Sequence, residues 1–89
     1  MLIRMGVEPD PAKRLRQKQG ALIRQCREMR GMTIAELAEA VGATIGAVSH
    51  WENGRYTPRQ EFQIRLAKAL SVPWSTIFGL DAEAMGGVA

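Results

Sequence analysis

The sequence contains one cysteine, Cys26, and one histidine, His50. A single cysteine cannot close a disulfide within the chain, and one cysteine with one histidine cannot supply the usual ligands of a zinc site. General acid–base catalysis by His50 would also require a nucleophile and a cleft, which no motif in the sequence indicates. Cys26 lies in the apolar stripe of a predicted helix, so we interpret it as a core residue rather than a redox centre. We therefore expect no enzymatic activity, no metal and no cofactor.

The residues around His50 are typical of a binding surface. Four small or polar residues recur at positions i, i+3, i+4 and i+7 of one predicted helix: Gly46, Ser49, His50 and Asn53. A helix face without bulk or acidic charge can enter the major groove of a DNA duplex. Ser49 is then either a groove contact or a small residue that allows close approach. The alternatives for His50 are a contact to DNA and an idle exposed side chain. Trp51 falls on the opposite, apolar side, so we expect it in the core.

Two predicted helices position this face. Thr33 and Glu36 form a capping box, in which each side chain bonds to a backbone N–H at the start of a helix, and Gly42 ends that helix. Thr44 is the predicted N-cap of the next helix, which runs to the Asn-Gly pair at residues 53–54. Only two residues separate the helices, a link that is too short for an antiparallel hairpin. This spacing suits the sharp crossing of a helix-turn-helix, with the second helix facing outward.

A long helix is predicted before this pair. Asp10 is its N-cap and Pro11 its first residue, and it ends before Gly31. Its apolar side is predicted to comprise Leu15, Leu22, Ile23, Cys26 and Met29. Gly20 is either a weak point of this helix or an alternative start.

Two helices are predicted after the pair, which makes the chain all-α. Thr57 and Gln60 repeat the capping-box spacing around Pro58. The stripe of this fourth helix is predicted to comprise Phe62, Leu66, Ala67 and Leu70. A short last helix is predicted over Pro73–Phe78. This helix and the residues just after it carry an apolar cluster that either closes the core or forms part of a dimer interface: Trp74, Ile77, Phe78 and Leu80.

The chain has 89 residues and a formal charge of +3, which suits one domain with one modest core. We expect an arm at residues 1–9, a helical domain at 10–80 and a tail at 81–89. No apolar run reaches the length of a bilayer span, and the N-terminus lacks the pattern of a secretory signal. These features predict a cytoplasmic protein that does not contact a membrane.

Positive charge is concentrated at the front of the chain. Residues 1–31 carry eight basic and three acidic side chains, a net +5, whereas the remainder carries a net −2. Four basic residues lie early in the first helix: Lys13, Arg14, Arg16 and Lys18. They form either a solvated helix face or an additional contact to DNA.

Groups that suit phosphate surround the predicted reading helix. The starts of helices two, three and four offer backbone N–H groups, and the hydroxyls of Thr33 and Thr44 lie beside two of them. Asn53 ends the reading helix, and Arg55 and Arg59 follow it. We expect these five side chains to contact the DNA backbone.

A long run of residues resembles the Cro/cI-type, XRE-like helix-turn-helix family. The matching segments are residues 23–38, 41–42, 48–54, 58 and 66–70, within a region of about residues 20–80. The resemblance implies a compact five-helix, lambda-repressor-like domain that binds the major groove, usually as a dimer on paired half-sites. Ile34 departs from the family pattern, which often has glutamine there.

The resemblance also implies roles for individual residues. Base-facing positions match Ile45, Gly46, Ser49 and His50. Phosphate-contacting positions match Thr44, Arg55 and Arg59. Arg27 and Glu52 match a structural ion pair.

We expect a sequence-specific regulator of transcription that binds double-stranded DNA as a homodimer on a palindromic operator, most simply as a repressor. An activator or an antitoxin-like autoregulator is the alternative within this class, with a polymerase subunit or a toxin as protein partner. Glu36 and Glu39 could present acidic charge to polymerase, although helix-surface charge is the simpler interpretation. A protein-interaction module is the other class, favoured by the apolar Ile34 and Ile45 and by Gly46.

Overall fold

A computed structural model describes residues 10–79, and these residues form five helices and no strand. They are α1 (Pro11–Met29), α2 (Ile34–Val41), α3 (Ile45–Glu52), α4 (Gln60–Leu70) and α5 (74–79). The predicted arm at residues 1–9, the tail at 81–89 and Leu80 lie outside the described residues. The all-α, five-helix prediction is confirmed.

Local side-chain bonds set the starts of the first three helices. Asp10 accepts the Ala12 N–H at 3.1 Å. The α2 capping box is complete, because the Thr33 N–H donates to Glu36 Oε1 at 2.8 Å and the Glu36 N–H donates to Thr33 Oγ1 at 3.0 Å. Thr44 Oγ1 accepts the Ala47 N–H at the start of α3 at 3.0 Å. All three predicted caps are therefore confirmed.

Each helix contributes at least one fully buried aliphatic side chain to a single core. These side chains are Ile23, Leu37, Val48, Leu66 and Ile77, all with 0% exposure. Burial of such a side chain is worth about 1.5–3 kcal/mol, so every helix is held by its own core contact rather than by helix propensity alone.

The apolar side of α1 differs from the prediction. Met29 is 77% exposed, and Leu15, Leu22 and Cys26 are only half-buried. The buried side is instead centred on Gly20, Ile23 and Arg27, at i, i+3 and i+7. The prediction about Met29 was wrong because it followed hydrophobicity, whereas the buried side is set by the contact of α1 with α3.

The start of α4 also differs from the prediction. The helix begins at Gln60 with Arg59 as its N-cap and has no side-chain cap, so the predicted Thr57–Gln60 capping box is wrong. Pro58 is buried, and its carbonyl accepts the side-chain N–H of Gln63 at 2.9 Å. The helix therefore starts after the proline, and Gln60 is its first residue rather than its third.

The cluster at α5 divides between core and surface. Ile77 and Phe78 are buried in the core. Trp74 is 41% exposed, and its indole N–H donates to Gln63 Oε1 at 2.9 Å. This bond joins the start of α5 to α4.

Candidate nucleic-acid interface

The turn between α2 and α3 is short and sharply bent. Gly42 adopts the left-handed conformation with φ of 75°, and the Ala43 N–H donates to the Ala38 carbonyl at 2.9 Å. Only a residue without a Cβ adopts this φ at no steric cost, so glycine is favoured at the position. The two helices cross over this turn, and α3 lies at the surface of the domain.

The two sides of α3 have different environments. Val48 and Trp51 are buried, and the Trp51 ring centroid lies 5.4 Å from that of Phe62. The predicted base-facing residues lie on the other side: Ile45 is 56% exposed, Gly46 is exposed, and Ser49 and His50 are half-buried. The Trp51 contact holds α3 against the core, and these four residues together form what we call the reading face.

The first helix approaches the end of α3 at its backbone. Gly20 is buried against the carbonyls of Trp51 and Glu52, so closely that a Cβ there would lie 2.5 Å from the Glu52 oxygen. Gly20 is thus neither a weak point nor a helix start, but the position that allows α1 and α3 to pack. One turn earlier, the Arg16 Nε donates to the Gly54 carbonyl at 3.1 Å. These contacts fix the C-terminal end of α3.

A buried ion pair joins the same two helices. Arg27 Nε lies 2.6 Å from Glu52 Oε2, and Arg27 Nη2 donates to Glu52 Oε1 at 3.1 Å. Arg27 Nη1 donates to the Met32 carbonyl at 2.8 Å, so the guanidinium connects α1, the turn before α2 and α3. The pair that the resemblance implied is therefore present and bidentate.

The hydrogen bond that Arg27 donates to Glu52 raises the pKa of Arg27, against the opposing effect of burial. Because the folded pKa lies above the unfolded one, the contribution of this pair to stability is complete at neutral pH and declines only when the pH rises past the unfolded pKa of arginine. Arg27 therefore stays charged throughout the neutral range.

The five predicted phosphate contacts are all exposed: Thr33, Thr44, Asn53, Arg55 and Arg59. Both threonine hydroxyls accept a backbone N–H through the oxygen, and this leaves each O–H proton available to donate. The first N–H groups of a helix also lack intrahelical partners. The surroundings of the reading face thus present donors and positive charge.

The four basic residues of α1 do not have one common role. Arg16 is partly buried by its bond to Gly54, whereas Lys13, Arg14 and Lys18 are exposed. The Gln17 Cα would lie 2.8 Å from a Cβ at Gly54, so this part of α1 contacts the turn after α3. The exposed Lys13, Arg14 and Lys18 therefore belong to the helix that holds the C-terminal end of α3.

Tyr56 is a surface residue outside the set of site residues predicted from the sequence. The residue is 61% exposed, and its ring meets the His50 ring edge-on, with centroids 5.3 Å apart and an interplanar angle of 75°. Its position in the sequence could have marked it as a site residue, because it is an aromatic residue between Arg55 and Thr57, just after the predicted reading helix.

Over residues 10–79, no three potential metal-binding side chains of His, Cys, Asp or Glu come together. Within the same range, none of the helices combines the length and the hydropathy that a membrane span requires.

The chain is similar to known regulators in sequence and structure. Residues 23–77 match the helix-turn-helix family model. A protein from Methanothermobacter thermautotrophicus, described as an uncharacterized HTH-type transcriptional regulator, is 45% identical over 49 residues, which span 55% of this chain and 71% of that protein.

Two crystal structures of the clp gene regulator ClgR from Corynebacterium glutamicum have a similar fold. The first has a TM-score of 0.70 at 32% sequence identity, and the match covers 81% of this chain and 77% of the ClgR chain. The second has a TM-score of 0.68 at 33% sequence identity, and the match covers 92% of this chain and 97% of the ClgR chain. With the α2-turn-α3 geometry and the family match over residues 23–77, the chain belongs to the Cro/cI-type, XRE-like helix-turn-helix family of DNA-binding transcriptional regulators.

Proposed function

We propose that the protein reads a specific DNA sequence by placing α3 in the major groove. The observation that carries this proposal is the exposure of one side of α3 while Val48 and Trp51 anchor its other side in the core. An α-helix with its side chains is about 10–12 Å wide, and the major groove is about 12 Å wide.

The reading face supports a specific chemistry for each of its residues. Ser49 and His50 can bond to donors and acceptors on base edges. Ile45 offers an apolar contact to a thymine methyl group, and Gly46 allows the helix backbone to approach a base pair closely. Base preference is then carried chiefly by Ser49 and His50, with a further contribution from DNA shape.

The exposed groups around this face would contact the phosphates on either side of the groove. Thr33 and Thr44 would donate hydroxyl protons at the starts of α2 and α3, while Asn53, Arg55 and Arg59 would bind beyond the end of α3. Such contacts set the register of the protein on DNA but contribute little sequence preference.

We further propose that two copies bind one palindromic operator. The eight residues of α3 reach only a few base pairs, whereas a genome offers about 10⁶–10⁹ competing sites. Two copies with half-sites about 34 Å apart double the sequence that is read.

Occupancy of a promoter would then repress transcription by excluding polymerase. The Glu36 carboxylate accepts the Thr33 N–H, so we assign this side chain to the capping of α2.

Selection of binding sites from random duplex DNA tests the proposal. His50→Ala should alter the preferred bases, because it removes a contact to a base edge. Arg55→Ala should weaken binding to all DNA sequences alike and lower the slope of log affinity against log salt concentration by about one. Lys68→Ala, at an exposed position in the last turn of α4, is the charge-matched control and should change neither property. Equal losses from His50→Ala and Arg55→Ala on every sequence would show that His50 does not read bases.

The 56% exposure of Ile45 supports a second candidate function, in which the reading face binds a partner protein. A salt titration separates the two. Binding to several phosphates weakens steeply and log-linearly with salt, whereas a mainly apolar protein interface does not.

A further inference from the structure

We propose that Tyr56 is a positioning residue for His50 and that its hydroxyl is an additional contact to a DNA phosphate. This inference rests on the proposed reading of bases by α3. It assigns a second side chain to the part of the interface where base preference is expected.

The first step is the contact between the two rings. Their centroid separation of 5.3 Å and angle of 75° are within the range of favourable edge-to-face pairs. His50 lies near the end of α3, where a histidine without such a contact would be free to adopt several rotamers. A ring packed against it restricts that choice before DNA binds. Side-chain ordering on binding reduces affinity by about 2- to 10-fold per side chain, and the contact removes part of that loss in advance.

The second step is the placement of Tyr56 itself. Two hydrogen bonds hold the ends of the segment that carries Tyr56. The Arg55 N–H donates to the His50 carbonyl at 2.9 Å, and Gln63 Nε2 donates to the Pro58 carbonyl at 2.9 Å. Pro58 is buried, whereas Tyr56 is 61% exposed. An aromatic ring on an anchored segment that remains exposed in the free protein is available to a ligand.

The third step is the chemistry of the Tyr56 hydroxyl. Tyr56 lies next to Arg55, which we propose binds phosphate, and tyrosine hydroxyls are common donors to phosphate oxygens. A neutral donor releases no counterion, so this bond should raise affinity without changing its dependence on salt. That behaviour distinguishes Tyr56 from Arg55.

Two substitutions separate the two roles. Tyr56→Phe keeps the ring and removes the hydroxyl. It should weaken binding by about 10-fold with the base preference and the salt slope unchanged. Tyr56→Ala also removes the ring. It should add a further loss of about 2- to 10-fold and relax the preference at the base pair that His50 reads. In a His50→Ala background, Tyr56→Ala should cost no more than Tyr56→Phe, since the positioning effect requires the imidazole.

The free protein provides an independent readout. His50 is the single histidine, so its ring-proton NMR resonances are unambiguous. The ring current of residue 56 should displace them in the wild type and in Tyr56→Phe, and Tyr56→Ala should return them toward the values of an unstacked histidine. Thermal unfolding of each variant checks that the fold is retained.

The outcomes distinguish this inference from the proposed function. If the wild type selects a site and Tyr56→Ala binds it with unchanged affinity and preference, the positioning and phosphate roles of Tyr56 are both wrong. If Tyr56→Phe relaxes base preference as much as Tyr56→Ala does, the ring is not the positioning group. If the wild type selects no duplex at low salt, the proposed function fails and this inference fails with it.

Discussion

A methyl group added at Gly20 would press directly on the backbone of α3. In a solvent-exposed helix, Gly→Ala is stabilising by about 0.8–1.0 kcal/mol, because alanine has the higher helix propensity. Gly20 lies in the middle of α1, so propensity alone predicts a more stable protein. We expect the opposite result from Gly20→Ala, because its surroundings oppose the new side chain.

The magnitude follows from the distances at this contact. The added Cβ would lie 2.5 Å from the Glu52 carbonyl oxygen and also meet the Trp51 oxygen, whereas ordinary contacts begin at 3.4 Å. Both neighbours are backbone atoms, which cannot rotate away, so α1 and α3 must separate. Overpacking of this kind costs about 1–3 kcal/mol, and a rigid backbone neighbour places the cost at the upper end. After the gain in propensity, the net loss is about 2 kcal/mol, or about 8–16 °C in Tm.

Gly46→Ala is the matched control. Gly46 is helical like Gly20, but it is exposed, and the nearest atom to its added Cβ is Thr44 Oγ1 at 3.9 Å. Here propensity should dominate and raise the free energy of unfolding by about 0.5–1 kcal/mol. The same chemical change should therefore have opposite signs in α1 and α3.

Thermal and urea unfolding, followed by circular dichroism, measure both variants. A Gly20→Ala protein that is as stable as the wild type, or that gains stability as Gly46→Ala does, would refute the close packing of α1 on the α3 backbone. A loss for both variants would instead indicate that Gly46 is required for a reason other than space.

Three further predictions concern stability. Arg27→Met should lower the free energy of unfolding by about 3–5 kcal/mol, because Glu52 stays buried without its partner; adding Glu52→Leu should restore most of the loss, and a double variant no more stable than the single one would contradict this. In urea unfolding, Thr33→Ala should cost about 1 kcal/mol through its lost cap, whereas Thr57→Ala should cost less than about 0.5 kcal/mol; similar costs would be evidence against the observed start of α4. Gly42→Ala should lower the free energy of unfolding by about 1–2 kcal/mol, because residue 42 has a φ of 75°, and Gly42→Asn should lower it less. Thermal unfolding measures both changes, and an unchanged midpoint for the alanine variant would argue against this turn.

Features that depend on neighbours within about four residues were predictable from the order of the side chains. The Thr33 capping box, the Thr44 cap and the left-handed Gly42 all involve groups that lie close along the chain. Local spacing also separated the buried Val48 and Trp51 from the exposed side of α3. The helix-turn-helix and its candidate reading face therefore followed from local chemistry.

The start of α4 shows the limit of such local patterns. Thr57 and Gln60 have capping-box spacing, but the helix begins only at Gln60, after the buried Pro58, so Thr57 lies outside it. Met29 shows the same limit for burial, since an apolar side chain near the buried stripe still faces solvent.

The contacts that orient the reading face join parts of the chain that are distant in sequence. The Arg16–Gly54 bond spans 38 residues and the Arg27–Glu52 pair spans 25, and periodicity carries no information about either. Gly20 reads as a weak helical position by propensity, and only the adjacent α3 backbone makes it the required residue. The local sequence thus determined which helices form and which side of α3 is polar. The tertiary structure decided how α1 holds α3 and which ring lies against His50. The physical reason is that caps and turns are short-range, while packing depends on the surface that each helix meets.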